Sequence, residues 1–350
     1  MENNKKEKRR LPVYMLVIID ILCAGLCLVI FAFFHHGRAW LVSEHELKKA
    51  AAQSVQTVAA EAETGTEAEA EEDTLQEQVP EADDEPEDDF KFAEFMTDEV
   101  VITDSSYSSR NIYINITSYS AEDGVISSPY YVADIYVRDV KCIQSYFAGE
   151  KYIPSGHGEE IMSMFEKSGA ILATNGDYYS MQMGSGVLRN GELCREPSAQ
   201  FDTFVLYNDG SVRIYQKNEL KHSADFEAAI VDAWQVWSFG PSLLDENGVQ
   251  YENLRDEIYD VMANRNPRTG IGYYEPGHYC LVVVDGRVDG APGATIEEFA
   301  SIFESLGCAQ AYNLDGGGSS VMAFDGEIVS DRSQERKLPD IILVKEIEEE

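Results

Sequence analysis

The sequence is poor in cysteine and in the patterns that give cysteine a chemical role. Six cysteines are spread over 350 residues, with Cys23 and Cys27 inside an apolar run and Cys142, Cys194, Cys280 and Cys308 far apart. No C-x-x-C occurs, which argues against a zinc site and leaves any disulfide pairing open. Cys280 and Cys308 fall in expected core strands, where cysteine behaves as a small hydrophobe. Other chemical signatures are also missing. There is no H-E-x-x-H, no lysine behind a glycine run, and no nucleophile elbow, since Gly184-Ser185-Gly186 has the wrong spacing. His157, His222 and His278 have no companion pattern and read as surface or packing residues.

Positive charge is the other shortage. Lys and Arg number 27 against 63 Asp and Glu, for a net charge of −36. Residues 1–89 hold 8 of the basic and 20 of the acidic side chains, so the remainder alone stands at −24. A basic face for nucleic acid is therefore not expected, and an anionic ligand would have to be held by a few local arginines against the overall field.

What is present falls into three parts. Residues 1–35 read as a basic tail followed by a signal anchor. Lys5, Lys6, Lys8, Arg9 and Arg10 precede the nearly unbroken apolar run Leu11–Phe34. Twenty-four residues at about 1.5 Å each span a hydrocarbon core of about 30 Å. The basic cluster predicts a cytoplasmic N-terminus and a single-pass membrane protein with its folded domain outside. A cleaved signal peptide is the alternative, although Ala32-Phe33-Phe34-His35 makes a poor cleavage site. Asp20 within the run is assigned no function. Residues 36–91 read as a disordered stalk, because Glu61–Asp89 holds fifteen acidic residues and almost nothing to bury. Residues 92–350 are the globular domain.

Within that domain the pattern predicts an α+β fold, a mixed but mainly antiparallel sheet system with a few packed helices. Ile112–Ile116 and Tyr130–Val137 alternate as strands. Asn190-Gly191 is a hairpin signal after Gly186-Val187-Leu188, and Thr203–Tyr207 and Ser211–Tyr215 flank the turn at Asp209-Gly210. Arg265–Gly272 stands before the strand Tyr279–Val284, and Ile341–Val344 is the last strand. Asp285 begins a tight turn and is given that role. Thr295 and Glu298 form a capping box for a helix carrying Phe299, Ile302, Phe303 and Leu306, closed by Gly307.

A candidate internal duplication links two segments 138 residues apart. Glu159–Asp177 and Glu297–Asp315 match at nine of nineteen positions, each reading helix, glycine, apolar strand, Asn-x-Asp. The second Asn-x-Asp runs directly into Gly316-Gly317-Gly318-Ser319-Ser320. A carboxylate at a strand end beside glycines, whose main chain a ligand can approach closely, is a site-like arrangement.

Asn175-Gly-Asp-Tyr-Tyr, Gly186-Val-Leu-Arg-Asn-Gly191, Phe239-Gly-Pro, Pro267-Arg-Thr-Gly-Ile-Gly272, Val284-Asp-Gly-Arg287 and Asn313-Leu-Asp-Gly-Gly-Gly-Ser319 follow in this order. That succession, from about Tyr130 to Val344, resembles the phosphodiester glycosidase family. The resemblance implies hydrolysis of a sugar-1-phosphodiester, with a phosphate-linked glycan or glycopolymer as substrate. Phosphate is a better leaving group than a sugar alkoxide, so one carboxylate and an arginine can suffice. On that basis Asp315 is expected to be the catalytic carboxylate and Arg268 the phosphate ligand. Asn175 and Asn313 are expected to bond sugar hydroxyls, with Gly316, Gly317, Gly318 and Ser319 lining the pocket. Asp177 is a secondary catalytic candidate, because the family's eukaryotic branch has glycine at the matching position. Arg336 is a substrate-binding candidate. No cofactor is evident and metal dependence is open, since no calcium-loop spacing appears. The expected setting is the cell envelope, with exopolysaccharide or teichoic-acid-like polymers as substrates. A non-catalytic polysaccharide-binding protein that assists export or assembly is the alternative.

Overall fold

The computed structural model describes residues 90–347, apart from 183, 198–200, 221, 258–262 and 332–333. The expectations for the basic tail, the anchor and most of the stalk lie outside these residues. Among the described residues no helix is long and apolar enough to cross a membrane.

Alternating apolar positions build three antiparallel sheets. In the seven-stranded sheet the order is β1 (Val101–Ile102), β2 (Ser106–Ser108), β3 (Ile112–Tyr119), β4 (Tyr130–Val137), β13 (His278–Val284), β12 (Arg268–Glu275) and β14 (Gln310–Asn313). A five-stranded sheet runs β10 (Val212–Tyr215), β9 (Thr203–Tyr207), β11 (Ala233–Trp237), β7 (Val187–Arg189), β8 (Glu192–Arg195). The third runs β16 (Glu327–Ile328), β15 (Met322–Phe324), β6 (Leu172–Asn175), β17 (Asp340–Val344), β5 (Ile143–Phe147). One apolar cluster includes Ile135 and Ile271 of the first sheet, Phe204 and Trp237 of the second, and Leu172 and Ile342 of the third. The core therefore lies among the sheets, and the α+β expectation holds with strands dominating.

The helices fully within the described residues are α1 (Ile161–Ser168), α2 (Ser223–Ala229) and α3 (Ile296–Leu306). The capping box of α3 is formed on both sides, and Gly307 closes the helix at φ 79°. Its buried face, Ile296, Phe299, Ala300, Ile302 and Phe303, packs on the first sheet. Each large side chain there is worth about 1.5–3 kcal/mol of transfer free energy.

Of Arg265–Gly272, read from sequence as the approach to a strand, Arg268–Gly272 instead forms the first part of β12. Its glycines disguise it. A Cβ on Gly270 would lie 2.9 Å from the Phe299 ring, and one on Gly272 would lie 2.6 Å from Cys280 Sγ and 2.7 Å from Cys308 Sγ. Glycine in a strand marks such a close approach. Cys308 itself is buried just beyond α3 rather than in a strand.

The two Asn-x-Asp units share a local form, since α1 closes on Gly169 at φ 70° as α3 does on Gly307. Their surroundings differ. β6 lies between β15 and β17, whereas β14 is the edge of another sheet beside β12, so the architecture shows no duplicated domain.

Candidate active site

Strand polarity gathers the site. β12 runs antiparallel to both β13 and β14, with Arg268 opposite Val284 and Gly270 opposite Asn313. The start of β12 thus meets the ends of its two neighbours. Leu314 N donates to Thr269 O at 2.9 Å and Gly317 N to Pro267 O at 2.8 Å, which folds the glycine loop back over Arg268. In the third sheet, β6 ends at Asn175 opposite Ile341 near the start of β17.

The start of β12 and the segments that follow β13 and β14 line a cavity of about 160 Å³ whose wall also carries Arg336 and includes Arg268, Arg287, Asn313, Asp315 and the glycines at 316–318. Among the described residues, Asp315 is the one carboxylate on its wall, facing three arginines. A larger hollow of about 690 Å³ elsewhere has Asp139 and Asp209 beside Arg138 and Lys141. Its charges offset one another, and none of the strand-end residues reaches it.

Asp315 is only 8 % exposed. One carboxylate oxygen accepts from Gly316 N at 2.9 Å. Burial pushes its carboxyl up to about 6, while the Ser319 hydroxyl, Arg336 and the Gly316 amide pull the other way. A carboxylate whose pKa is raised toward neutrality suits proton transfer or nucleophilic attack. Arg336 donates to Ser319 Oγ at 3.1 Å, so the cation and the hydroxyl both bear on Asp315.

Arg268 is held rigidly. Its Nε donates to Ala294 O at 3.1 Å and its Nη2 to Asn264 O at 3.0 Å. Burial, reinforced by nearby Arg287, lowers it to about 10 against the opposing charge of Glu297, which leaves it a cation at neutral pH. Arg287 had no role assigned from the sequence. It follows β13 in the Asp285-Gly286-Arg287 turn and donates to Asn266 Oδ1 at 2.6 Å. The pairing of β12 with β13 was the available signal, because it sets a residue just past Val284 beside Arg268.

The structure places two of the expected site residues away from the cavity wall. Asn175 does not face the cavity. Its Nδ2 donates to Asp315 O at 2.7 Å and Gly176 O at 3.2 Å, and its Oδ1 accepts from Thr269 Oγ1 at 2.8 Å and Val321 N at 3.3 Å. All its capacity goes to joining strand ends. Asp177 is fully buried behind the cavity. Its Oδ1 accepts from Arg189 Nη2 at 2.8 Å and Tyr179 N at 3.2 Å, and its Oδ2 from Ser238 N at 2.9 Å. Its carboxylate is engaged in a buried ion pair and does not line the cavity. The glycine loop lines the pocket, but several of its amides are spent internally: Gly316 N on Asp315, Gly317 N on Pro267, and Ser319 N on Gly316 O at 3.2 Å. Asn313 keeps part of its expected capacity. Nδ2 donates to Gly240 O at 2.8 Å, while its buried Oδ1 has no hydrogen-bond partner among the described residues.

Among the described residues no cluster of His, Cys, Asp and Glu is arranged to hold a metal. The fold is β-rich, and its cavity wall carries three arginines and one buried carboxylate. The chain belongs to the phosphodiester glycosidase family, whose model matches residues 168–345. It is 25% identical over 255 residues to the SPbeta prophage-derived uncharacterized protein YomE of Bacillus subtilis (strain 168), an alignment covering 66% of this chain and 38% of that protein. A solved structure of similar fold is the catalytic domain of zebrafish N-acetylglucosamine-1-phosphodiester alpha-N-acetylglucosaminidase, auto-inhibited by its pro-peptide. It has a TM-score of 0.54 and 20% identity, with 71% of this chain and 88% of that chain covered.

Proposed function

We propose that this chain hydrolyses sugar-1-phosphodiesters, releasing the sugar and a phosphomonoester. The observation that carries the reading is the cavity wall, where one buried carboxylate opposes Arg268, Arg287 and Arg336. Guanidinium groups bind phosphate oxygens through paired, charge-assisted hydrogen bonds. Here they supply local positive charge on a strongly acidic chain. Held this way, the phosphate departs as a stabilised anion and needs little protonation. That explains how hydrolysis proceeds with a single carboxylate on the wall, where ordinary glycosidases use two. Asp315 either takes a proton from the water that attacks the sugar carbon as its bond to the phosphate oxygen breaks, or attacks that carbon itself to give a glycosyl ester that water then hydrolyses. Asn313 lines the same cavity as a candidate partner for a sugar hydroxyl.

The substrate we infer is a phosphate-linked glycopolymer of the cell envelope. The support is in the sequence: a basic cluster, the apolar run Leu11–Phe34, and an acidic stretch before the domain make a membrane-tethered, extracytoplasmic hydrolase the consistent reading.

The test is sugar release by the full chain from a panel of defined α- and β-sugar-1-phosphate monomethyl esters, beside Asp315→Asn. Release of free sugar by the wild type, reduced at least a hundredfold in the variant, is expected. No release from any ester, or equal release by both proteins, overturns the proposal. Tight binding without turnover would instead establish a polysaccharide-binding protein.

A further inference from the structure

Asp285 is a buried acid that the chemistry above does not use. It is 1 % exposed and lies two residues before Arg287. We propose that Asp285 is a positioning residue for the phosphate end of the cavity. It pins the turn that carries Arg287 to the segment that carries Arg336. This rests on reading the cavity as a phosphate site.

The geometry holds Asp285 from four directions. Its N–H donates to Pro129 O at 3.0 Å, and its carbonyl accepts from Ser128 Oγ at 2.8 Å. Ser128 Oγ in turn accepts from Gly293 N at 3.1 Å. The carboxylate Oδ1 accepts from Asp331 N at 3.0 Å, and the Tyr131 hydroxyl beside it favours the charged carboxylate. Asp331 stands five residues before Arg336. One side chain therefore bridges two loops that are distant in sequence and that each deliver an arginine to the same cavity.

The turn itself needs such an anchor. Arg287 has φ 62°, a left-handed conformation that is costly for a residue with a side chain and persists only where its surroundings impose it. Gly286 presses on the segment before Arg268, since a Cβ there would lie 2.7 Å from Pro267 N. Asp285 fixes one side of this turn and Pro267 the other, so the Arg287 guanidinium reaches the cavity from a defined position. Binding a phosphate then costs little reordering of long side chains.

A turn-forming aspartate that merely supports the fold predicts something different. Asparagine retains an acceptor for Asp331 N, whereas alanine does not. The experiment is calorimetric titration of inorganic phosphate into the full chain, comparing wild type, Asp285→Asn and Asp285→Ala, with circular dichroism to confirm folding. The proposal predicts that Asp285→Ala weakens phosphate binding at least tenfold and that Asp285→Asn stays within threefold of wild type. A folded Asp285→Ala that binds phosphate as the wild type does overturns the proposal and leaves the phosphate reading intact. Failure of the wild type to bind phosphate overturns both. If Asp285→Ala does not fold, Asp331→Pro removes the donor while keeping Asp285. A tenfold loss is again expected, and unchanged binding refutes the bridge.

Discussion

Asn175 reaches across from the end of β6 and donates to the main-chain carbonyl of Asp315 at 2.7 Å. The asparagine of the first Asn-x-Asp thus holds the backbone of the aspartate in the second. The third sheet is joined to the first at the point where the cavity's carboxylate stands, and the same side chain collects the Thr269 hydroxyl and Val321 N–H.

Asn175→Ala is therefore expected to act on stability. It leaves the Asp315 carbonyl and the Thr269 hydroxyl without their partner, at about 2–4 kcal/mol for several lost buried hydrogen bonds. Urea denaturation of the variant measures this. A stability within 0.5 kcal/mol of wild type, roughly the scatter of a surface substitution, would show that Asn175 is not the clamp described.

Asp315 must be ionised to act as base or nucleophile, and burial raises its carboxyl to about 6. The rate of sugar release should climb with pH through about 6 and level off above it. Asp315→Asn should abolish that limb along with most of the activity, while phosphate binding through the arginines persists. A pH–rate profile flat from 4 to 8 would contradict the assignment.

Each arginine on the cavity should carry part of the phosphate affinity. Charge-assisted hydrogen bonds contribute about 1.5–3 kcal/mol, so Arg287→Ala should weaken phosphate binding by roughly ten- to a hundredfold. Arg287 is exposed on the rim, and its loss should leave thermal stability almost unchanged. Arg268 is buried and bonded to Ala294 O and Asn264 O, so Arg268→Ala should lower both affinity and melting temperature. Paired calorimetry and thermal melts separate the two.

Beneath the cavity, Arg189 is shared by Asp177 and Asp340, with Nη2 at 2.8 Å and 3.0 Å from their oxygens. One buried cation cannot neutralise two buried anions. Burial, with repulsion from Asp177 and Asp315 added, raises the Asp340 carboxyl above the usual carboxylate range despite Arg189. A folded-state value above the unfolded one means stability that is present below the unfolded value near 3.9 and lost as pH rises through the folded one. Asp340→Asn should flatten that decline in a series of denaturation curves from pH 4 to 8. Arg189→Met, which strands two carboxylates, should cost about 3–5 kcal/mol. A mild effect of that change would refute the buried network.

The sequence alone determined the strands with clean alternation, such as Tyr130–Val137, and the capped helix beginning after Thr295, because local periodicity and capping act within a few residues. It also singled out Asp315, Arg268, Asn313 and Arg336, which the fold brings to one cavity. β12 stayed hidden, because the glycines that let α3 approach the sheet also erase the alternation. The difference between Asp177 and Asp315 was equally out of reach. Both end a strand in Asn-x-Asp, yet Asp177 meets Arg189 and the Ser238 N–H inside the protein, while Asp315 meets a cavity. Which carboxylate is spent on structure depends on partners 12 to 61 residues away, and only the tertiary pairing of strands supplies them.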